Sequence, residues 1–364
     1  MAVIQHERKA RFFGYFLSRR KESSIPPQQR NPTPRVGFLV PMRRTVPISY
    51  HLLYPERNML MKFSVFADIH HYPGVFDGGT DAELEFIQRR AEENGAAFII
   101  HAGDFCHGPS LCPDYVKKYN DFHIPSYHCL GNHDSDATSY AETLAAYNMP
   151  DGHYYFDCEG YRFIVCDPNY YKLDGEYIHY DRGNYYAHGD KRDWMPPEQL
   201  AWLEKTIDEA GVPCILISHE SFERESDGVR NQNDVRAMFA RCNAKRKNAV
   251  LMCINGHHHR DNLRILDGIL YFELNSAAYD WLQNEHDCYP RELCEQIKLL
   301  NHTGVYNDPI HASIPLEGTT ITIDGMESTM FMGINRAETG VNPIFDSAGR
   351  PVYPKVQSAK ITMG

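Results

Sequence analysis

MKFSVFADIH occupies residues 61–70 of the 364-residue chain. The run from Lys62 to Ala67 is short and β-rich, and it closes on Asp68 and His70, so a strand delivers a carboxylate and an imidazole at its carboxyl end. The same pattern recurs downstream. Thr80 to Asn94 has helical period, with Leu84, Ile87 and Ala91 on one face and Gly95 as a stop. Ala97 to His101 is a second apolar strand, ending at Gly103-Asp104. Cys112 to Phe122 reads as a helix and Ser126 to Leu130 as a third strand. Ala137 to Tyr147 reads as a helix, followed by strands over Tyr154–Asp157 and Tyr161–Asp167. Pro197 to Ala210 is a helix with proline at its start and Gly211 beyond its end. The strands Cys214–Ser218, Ala249–Asn255, Leu263–Leu266 and Ile269–Leu274 follow. Tight turns are expected at Asp267-Gly268 and Asp324-Gly325. Strands alternating with helices, then strand pairs, predict a mixed α/β layered fold with two sheets.

Five short motifs stand at or just beyond these strand ends: Asp68-Ile69-His70, Gly103-Asp104, Gly131-Asn132-His133-Asp134, Ser218-His219-Glu220 and Gly256-His257-His258-His259. Each alone is weak, since Gly-Asp is a common turn dipeptide and a lone histidine beside a strand is usually structural. Together they supply oxygen and imidazole donors at the carboxyl ends of strands, where ligands of open α/β sheets collect.

Composition bounds the rest. A hydrophobic share of 42% and a charged share of 23% suit an ordinary globular chain able to bury a large core. No run of eighteen apolar residues occurs, so nothing is expected to span a bilayer, and the first twenty residues lack a signal-peptide pattern. Ten cysteines without a Cys-x-x-Cys pair suit a reducing cytoplasm. Residues 1–58 carry eleven Lys or Arg against three Asp or Glu; the remainder then holds 26 basic and 45 acidic residues of the chain's 37 and 48. The acidic body repels a phosphate backbone, which argues against nucleic acid as a general partner. Residues 1–58, basic and proline-containing, read as a disordered leader, with translation from Met59 or Met61 as a further hypothesis. Residues 59–330 form the main domain, and 331–364 a C-terminal extension packed on it.

The motif order resembles the metallophosphoesterase superfamily, also called calcineurin-like phosphoesterases, over roughly Met61 to Leu274. The resemblance implies a four-layer α/β/β/α sandwich of two mixed sheets flanked by helices, with a dinuclear site between the strand ends. Asp68, His70 and His259 would bind one metal, Asn132, His219 and His257 the other, and Asp104 would bridge both. This mixed nitrogen and oxygen set without thiolate suits two divalent or trivalent transition-metal ions: Mn, Fe or Zn. Ions roughly 3.5–4 Å apart can share a water, lower its pKa and clamp phosphate oxygens, a bridging hydroxide being the nucleophile. The resemblance further implies that His133 protonates the leaving alkoxide as general acid, with Asp134 orienting its imidazole. The alternative for Asp134 is an N-cap of the helix near Ala137, which Ser135 or Asp136 could equally provide. His71, His107 and His258 are read as pocket lining or solvent contacts.

The implied activity is hydrolysis of a small-molecule phosphodiester or phosphomonoester. His107 stands where purple acid phosphatases carry a tyrosine, and Gly108-Pro109 and Ser135-Asp136 lack the arginines of protein phosphatases. The Asp-x-His start and compact size look most like the bacterial cyclic-nucleotide phosphodiesterase branch. Rival readings are a nuclease, kept open by the basic leader, and a catalytically inactive interaction scaffold, disfavoured because all seven ligand candidates and His133 are present. Asn169 to Trp194 carries six tyrosines and a tryptophan; it reads either as a substrate-stacking loop or lid or as a packed surface loop over the helix at Pro197. Ala278 to Pro315 reads as irregular.

Overall fold

The computed structural model describes residues 60–73, 79–224, 227–282, 288–334 and 353–364. The leader assigned to residues 1–58 lies outside the described residues. In chain order the strands are β1 Met61–Phe66, β2 Ile99–Ala102, β3 Ser126–Cys129, β4 Tyr154–Cys158, β5 Tyr161–Val165, β6 Tyr170–Leu173, β7 Glu176–His179, β8 Cys214–Ile217, β9 Val250–Asn255, β10 Asn262–Leu266, β11 Ile269–Glu273, β12 Tyr279–Trp281, β13 Thr303–Val305, β14 Ala312–Glu317, β15 Thr320–Ile323 and β16 Ala359–Thr362. The helices are α1 Gly79–Glu93, α2 Pro113–Asn120, α3 Tyr140–Ala146, α4 Pro197–Glu209, α5 Gln232–Lys245 and α6 Arg291–Cys294.

Two six-stranded sheets dominate, in the orders β16-β15-β14-β1-β2-β3 and β10-β11-β9-β8-β5-β4. In the first, β1, β2 and β3 run parallel and β14 pairs antiparallel to β1. In the second, β5, β8, β9 and β11 run parallel, with antiparallel β4 and β10 at its edges. The parallel strands therefore place all five sequence motifs just beyond their carboxyl ends.

Residue alternation along the strands builds the layers. Phe63 of β1 and Phe98, just before β2, meet Phe163 of the second sheet at centroid distances of 5.2 and 4.8 Å, and Tyr127 stacks on Phe156 at 3.7 Å. One residue along, Ile164 turns outward into a cluster with Leu203 and Ile207 of α4 and Val235, Met238 and Phe239 of α5. On the far side, Phe66 packs edge-on against Tyr119 of α2, and Leu84, Ile87 and Ala91 of α1 are fully buried. The architecture is a mixed α/β fold of two sheets flanked by helices.

Three local expectations are corrected. The helix expected over Ala137–Tyr147 starts later: α3 begins only after Ser139, whose side chain and Glu142 make a capping box, and a separate 3₁₀ turn over His133–Ser135 precedes it. None of residues 134–136 caps it. The second expected hairpin turn lies at Gly318, with φ of 60°, not at Asp324-Gly325. The stretch Ala278–Pro315 is not irregular throughout: it contains the β12–β13 ladder and most of β14, which lies beside β1 inside the first sheet. Pro315 within that run masks the strand signal, yet it pairs opposite Lys62. At the other end of the chain, β16 joins the first sheet's edge through β15.

Candidate metal centre

The loops leaving β1, β2, β3, β8 and β9 converge. After β1, the Nε2 of His70 lies 3.0 Å from the Nε2 of His259, which follows β9. Asp68 Oδ1 is 3.7 Å from the first and 3.4 Å from the second. On the other side, Asp104 Oδ2 stands 3.1 Å from His219 Nε2 and 3.7 Å from His70 Nε2, so one oxygen faces both histidines. His257 Nδ1 lies 3.3 Å from His219 Nε2. Donor atoms of Asp68, His70 and His259, and separately of Asp104, His219 and His257, are mutually within 4.8 Å. The six ligand candidates of acid or imidazole type thus meet as two adjoining triads.

Neighbouring groups aim these donors. The Nδ1–H of His219 donates to the Ala102 carbonyl (2.8 Å), a tautomer that leaves the Nε2 lone pair facing Asp104. The His257 amide donates to Asp68 (3.1 Å), and the His133 amide donates to Asp104 Oδ1 (2.8 Å), freeing Oδ2 for the centre. Asp68, His70, Asp104, His257 and His259 all have positive φ, between 47° and 73°. Non-glycine residues rarely adopt this region, and such strain clusters at functional sites. Two glycines permit the approach of the loops: a Cβ on Gly131 would lie 2.3 Å from the Asp104 amide nitrogen, and one on Gly103 would lie 2.3 Å from His219 Nδ1.

The donors fit a pair of cations. Asp68 and Asp104 are buried, and among the described residues their ion-pair partners are histidines. Two buried carboxylates without a fixed positive charge are costly unless a cation joins them. Their charge raises the pKa of His219 and His259 against the opposing effect of burial, whereas burial holds His70 and His257 low. The same negative potential attracts metal ions. Asn132 contributes a further sign: its Nδ2 donates to Tyr185 Oη (3.2 Å), while its buried Oδ1 has no hydrogen-bond partner. That orphan acceptor suits a metal ligand.

His133 sits beside this centre, its ring 5.2 Å from that of His70. The expectation that Asp134 orients it is corrected. Asp134 accepts from the amides of Asp104, Phe105, Cys106 and Gly131 at 2.8–3.1 Å and from Tyr147 Oη at 2.6 Å. It therefore ties the loop after β2 to the loop after β3, and burial with the nearby Asp104 charge pushes its carboxyl up to about 7. The partner of His133 is Asp136, whose Oδ2 lies 2.7 Å from Nδ1. Three residues apart in a 3₁₀ turn, the two side chains fall on one side. Asp136 also faces His107 Nδ1 (3.0 Å) and accepts from Tyr185 (2.6 Å) and Tyr186 (3.1 Å). Burial opposes its ionisation, but the hydrogen bonds from His107 and His133 hold it well below the usual carboxylate range. For His133, burial is outweighed by Asp104 and Asp136, which raise its pKa.

Asp136, weighed in the sequence only as an N-cap, is the site residue that sequence reasoning missed, its available signal being the spacing to His133; Tyr185 and Tyr186, which also bond Asp136, lie in the stretch read there as a stacking loop or a packed surface loop. Among the extra histidines, His107 belongs to the site. His71 stacks on Tyr115 and contacts Thr80, and His258 lies 2.9 Å from Glu273. The tyrosine-rich stretch forms the β6–β7 hairpin and a 3₁₀ segment over Asn184–Lys191, with Tyr171, Tyr180 and Tyr185 as a buried cluster.

A family model described as calcineurin-like phosphoesterase matches residues 61–261. No curated protein sequence matches significantly. Among solved structures, a dimetal phosphatase from Danio rerio superposes with a TM-score of 0.55 at 13% identity, covering 84% of this chain and 99% of that one. A purple acid phosphatase from yellow lupin (Lupinus luteus) gives 0.45 at 12% identity, covering 85% of this chain and 55% of that one. At such identities the likeness concerns the fold alone.

Proposed function

This chain belongs to the calcineurin-like phosphoesterase family, and we propose that it hydrolyses a small-molecule phosphate ester with two transition-metal ions, Mn, Fe or Zn. Asp68, His70 and His259 would hold one ion and Asn132, His219 and His257 the other, with Asp104 shared. The observation that carries this reading is the convergence of two buried carboxylates and four imidazoles from four loops, with Asp104 Oδ2 facing both triads. A metal pair in such a site activates water and neutralises charge on the phosphoryl oxygens.

The chain's own groups would do the rest. The Asp136 carboxylate fixes the Nδ1–H tautomer of His133 and stabilises its protonated form, so that Nε2 can pass a proton to the leaving oxygen. The hydrogen bond donated by the His133 amide to Asp104 Oδ1 holds that acid against the metal-binding loop. Asp134 acts as a brace for both loops rather than on the imidazole.

A phosphodiester is the preferred substrate type, in line with the likeness of the motifs to the cyclic-nucleotide phosphodiesterase branch. The eight cysteines from Cys106 to Cys253 carry free thiols, which supports a cytoplasmic setting. Among the described residues no helix is long and apolar enough to cross a membrane. The test is a panel of bis-p-nitrophenyl phosphate, p-nitrophenyl phosphate, cyclic nucleotides and DNA, assayed with Mn²⁺ and with metal content measured. Turnover of at least one small ester is expected. Metal-loaded protein inert on every ester would overturn the proposal, and cleavage of DNA alone would favour the nuclease reading.

A further inference from the structure

Most of the tyrosine-rich stretch is consumed by packing, with one exception beside His133. Tyr180, Tyr185 and Tyr186 form a run of stacked rings, with centroids 4.5 and 4.4 Å apart. The first two rings are fully buried, while Tyr186 is 59% exposed. It therefore ends the stack with an uncovered ring. Its hydroxyl is tied to Asp136 at 3.1 Å and lies 3.4 Å from His133 Nδ1. A second stack stands on the other flank of His133. The His107 ring is 4.6 Å from that of His133 and is itself stacked with Tyr72 at 4.6 Å and 22°.

Resting on the phosphoesterase reading, we infer that the leaving group of the natural substrate is planar and aromatic, a nucleoside being the fitting class, and that it stacks on Tyr186 or on the Tyr72–His107 pair. The leaving oxygen is the atom that must meet His133, so the group attached to it lies among these rings. Flat aromatic faces attract nucleobases by stacking, with little dependence on base identity. The hydroxyl of Tyr186 is anchored and its inner face is backed by Tyr185, so little side-chain freedom is lost when a base stacks on it.

Adenosine 5′-monophosphate and ribose 5-phosphate share the same ester oxygen and differ by the base; their methyl diesters form an equivalent pair for a diesterase. With the metal-loaded full chain, kcat/KM is expected to favour the adenosine member by about tenfold or more. Tyr186→Leu and Tyr72→Leu should together reduce that ratio about tenfold, whereas Tyr186→Phe, which keeps the ring, should preserve it. A wild-type ratio near one, or a ratio unchanged by the double leucine variant, would overturn the inference. If neither ester turns over, the phosphoesterase reading is decided by the ester panel alone. Calorimetric binding of adenosine monophosphate against ribose 5-phosphate then decides the stacking claim by the same ratio.

Discussion

At the scale of single residues, three neighbours in one short segment have three different tasks. His133 faces the metal loops, Asp134 braces the backbone beneath them, and Asp136 holds the His133 ring. For His133→Ala, metal content should stay and turnover should fall by about 10²-fold or more, most for poor leaving groups. Asp136→Asn keeps the shape but removes the charge, and a loss of about tenfold or more is expected, again with metals retained. Asp134→Ala takes the acceptor from four amides and one tyrosine hydroxyl at once. Metal content itself should then drop, because the loops carrying Asp104 and Asn132 lose their tie. Metal analysis of the three purified variants decides between these roles: metal lost from Asp136→Asn but kept by Asp134→Ala would reverse them.

At the scale of elements, the decisive feature is how closely the loops after the parallel strands approach one another. Gly131 follows β3 and abuts the amide and Oδ1 of Asp104 after β2. A methyl group there cannot be absorbed by a flexible side chain, since the nearest atom is backbone nitrogen. Gly131→Ala should therefore abolish metal binding and activity while far-ultraviolet circular dichroism keeps the native signature of both sheets. A fully active alanine variant would show that the approach of these two loops does not matter.

For the whole molecule, two measurements read the cost of burying charge. Removing metal with a chelator should lower Tm by several degrees, since a ligand that binds only the folded state adds roughly 2.7 kcal/mol at a hundred times its Kd. An unchanged Tm would mean that the clustered carboxylates need no cation. Acid stability gives a second reading. Burial lowers the pKa of His128 to about 3, so the folded protein keeps it neutral while the unfolded chain protonates it near 6.5. Its contribution is present above pH 6.5 and is lost on the way down to about 3, at up to ~1.4 kcal/mol per pH unit. Urea unfolding at pH 7.5, 6 and 5 should show this slope, and His128→Gln should flatten it.

The order of motifs along the chain and the strand–helix alternation were legible because both are local: a strand is a run of β-rich apolar residues, and its carboxyl end is marked by Asp68, Asp104, Asn132, His219 or His257. The amphipathic period of Leu84, Ile87 and Ala91 likewise identified a helix without any tertiary knowledge. The place of β14 was not legible, because Pro315 breaks its local signal and only pairing with β1 makes it a strand. The partner of His133 was not legible either. Asp134 and Asp136 are both near it in sequence, and the choice depends on which way each side chain leaves a 3₁₀ turn. By itself, then, the sequence determined which residues could supply the chemistry. The tertiary structure alone decided which of them meet, since contacts among five loops from two sheets depend on packing that no local pattern encodes.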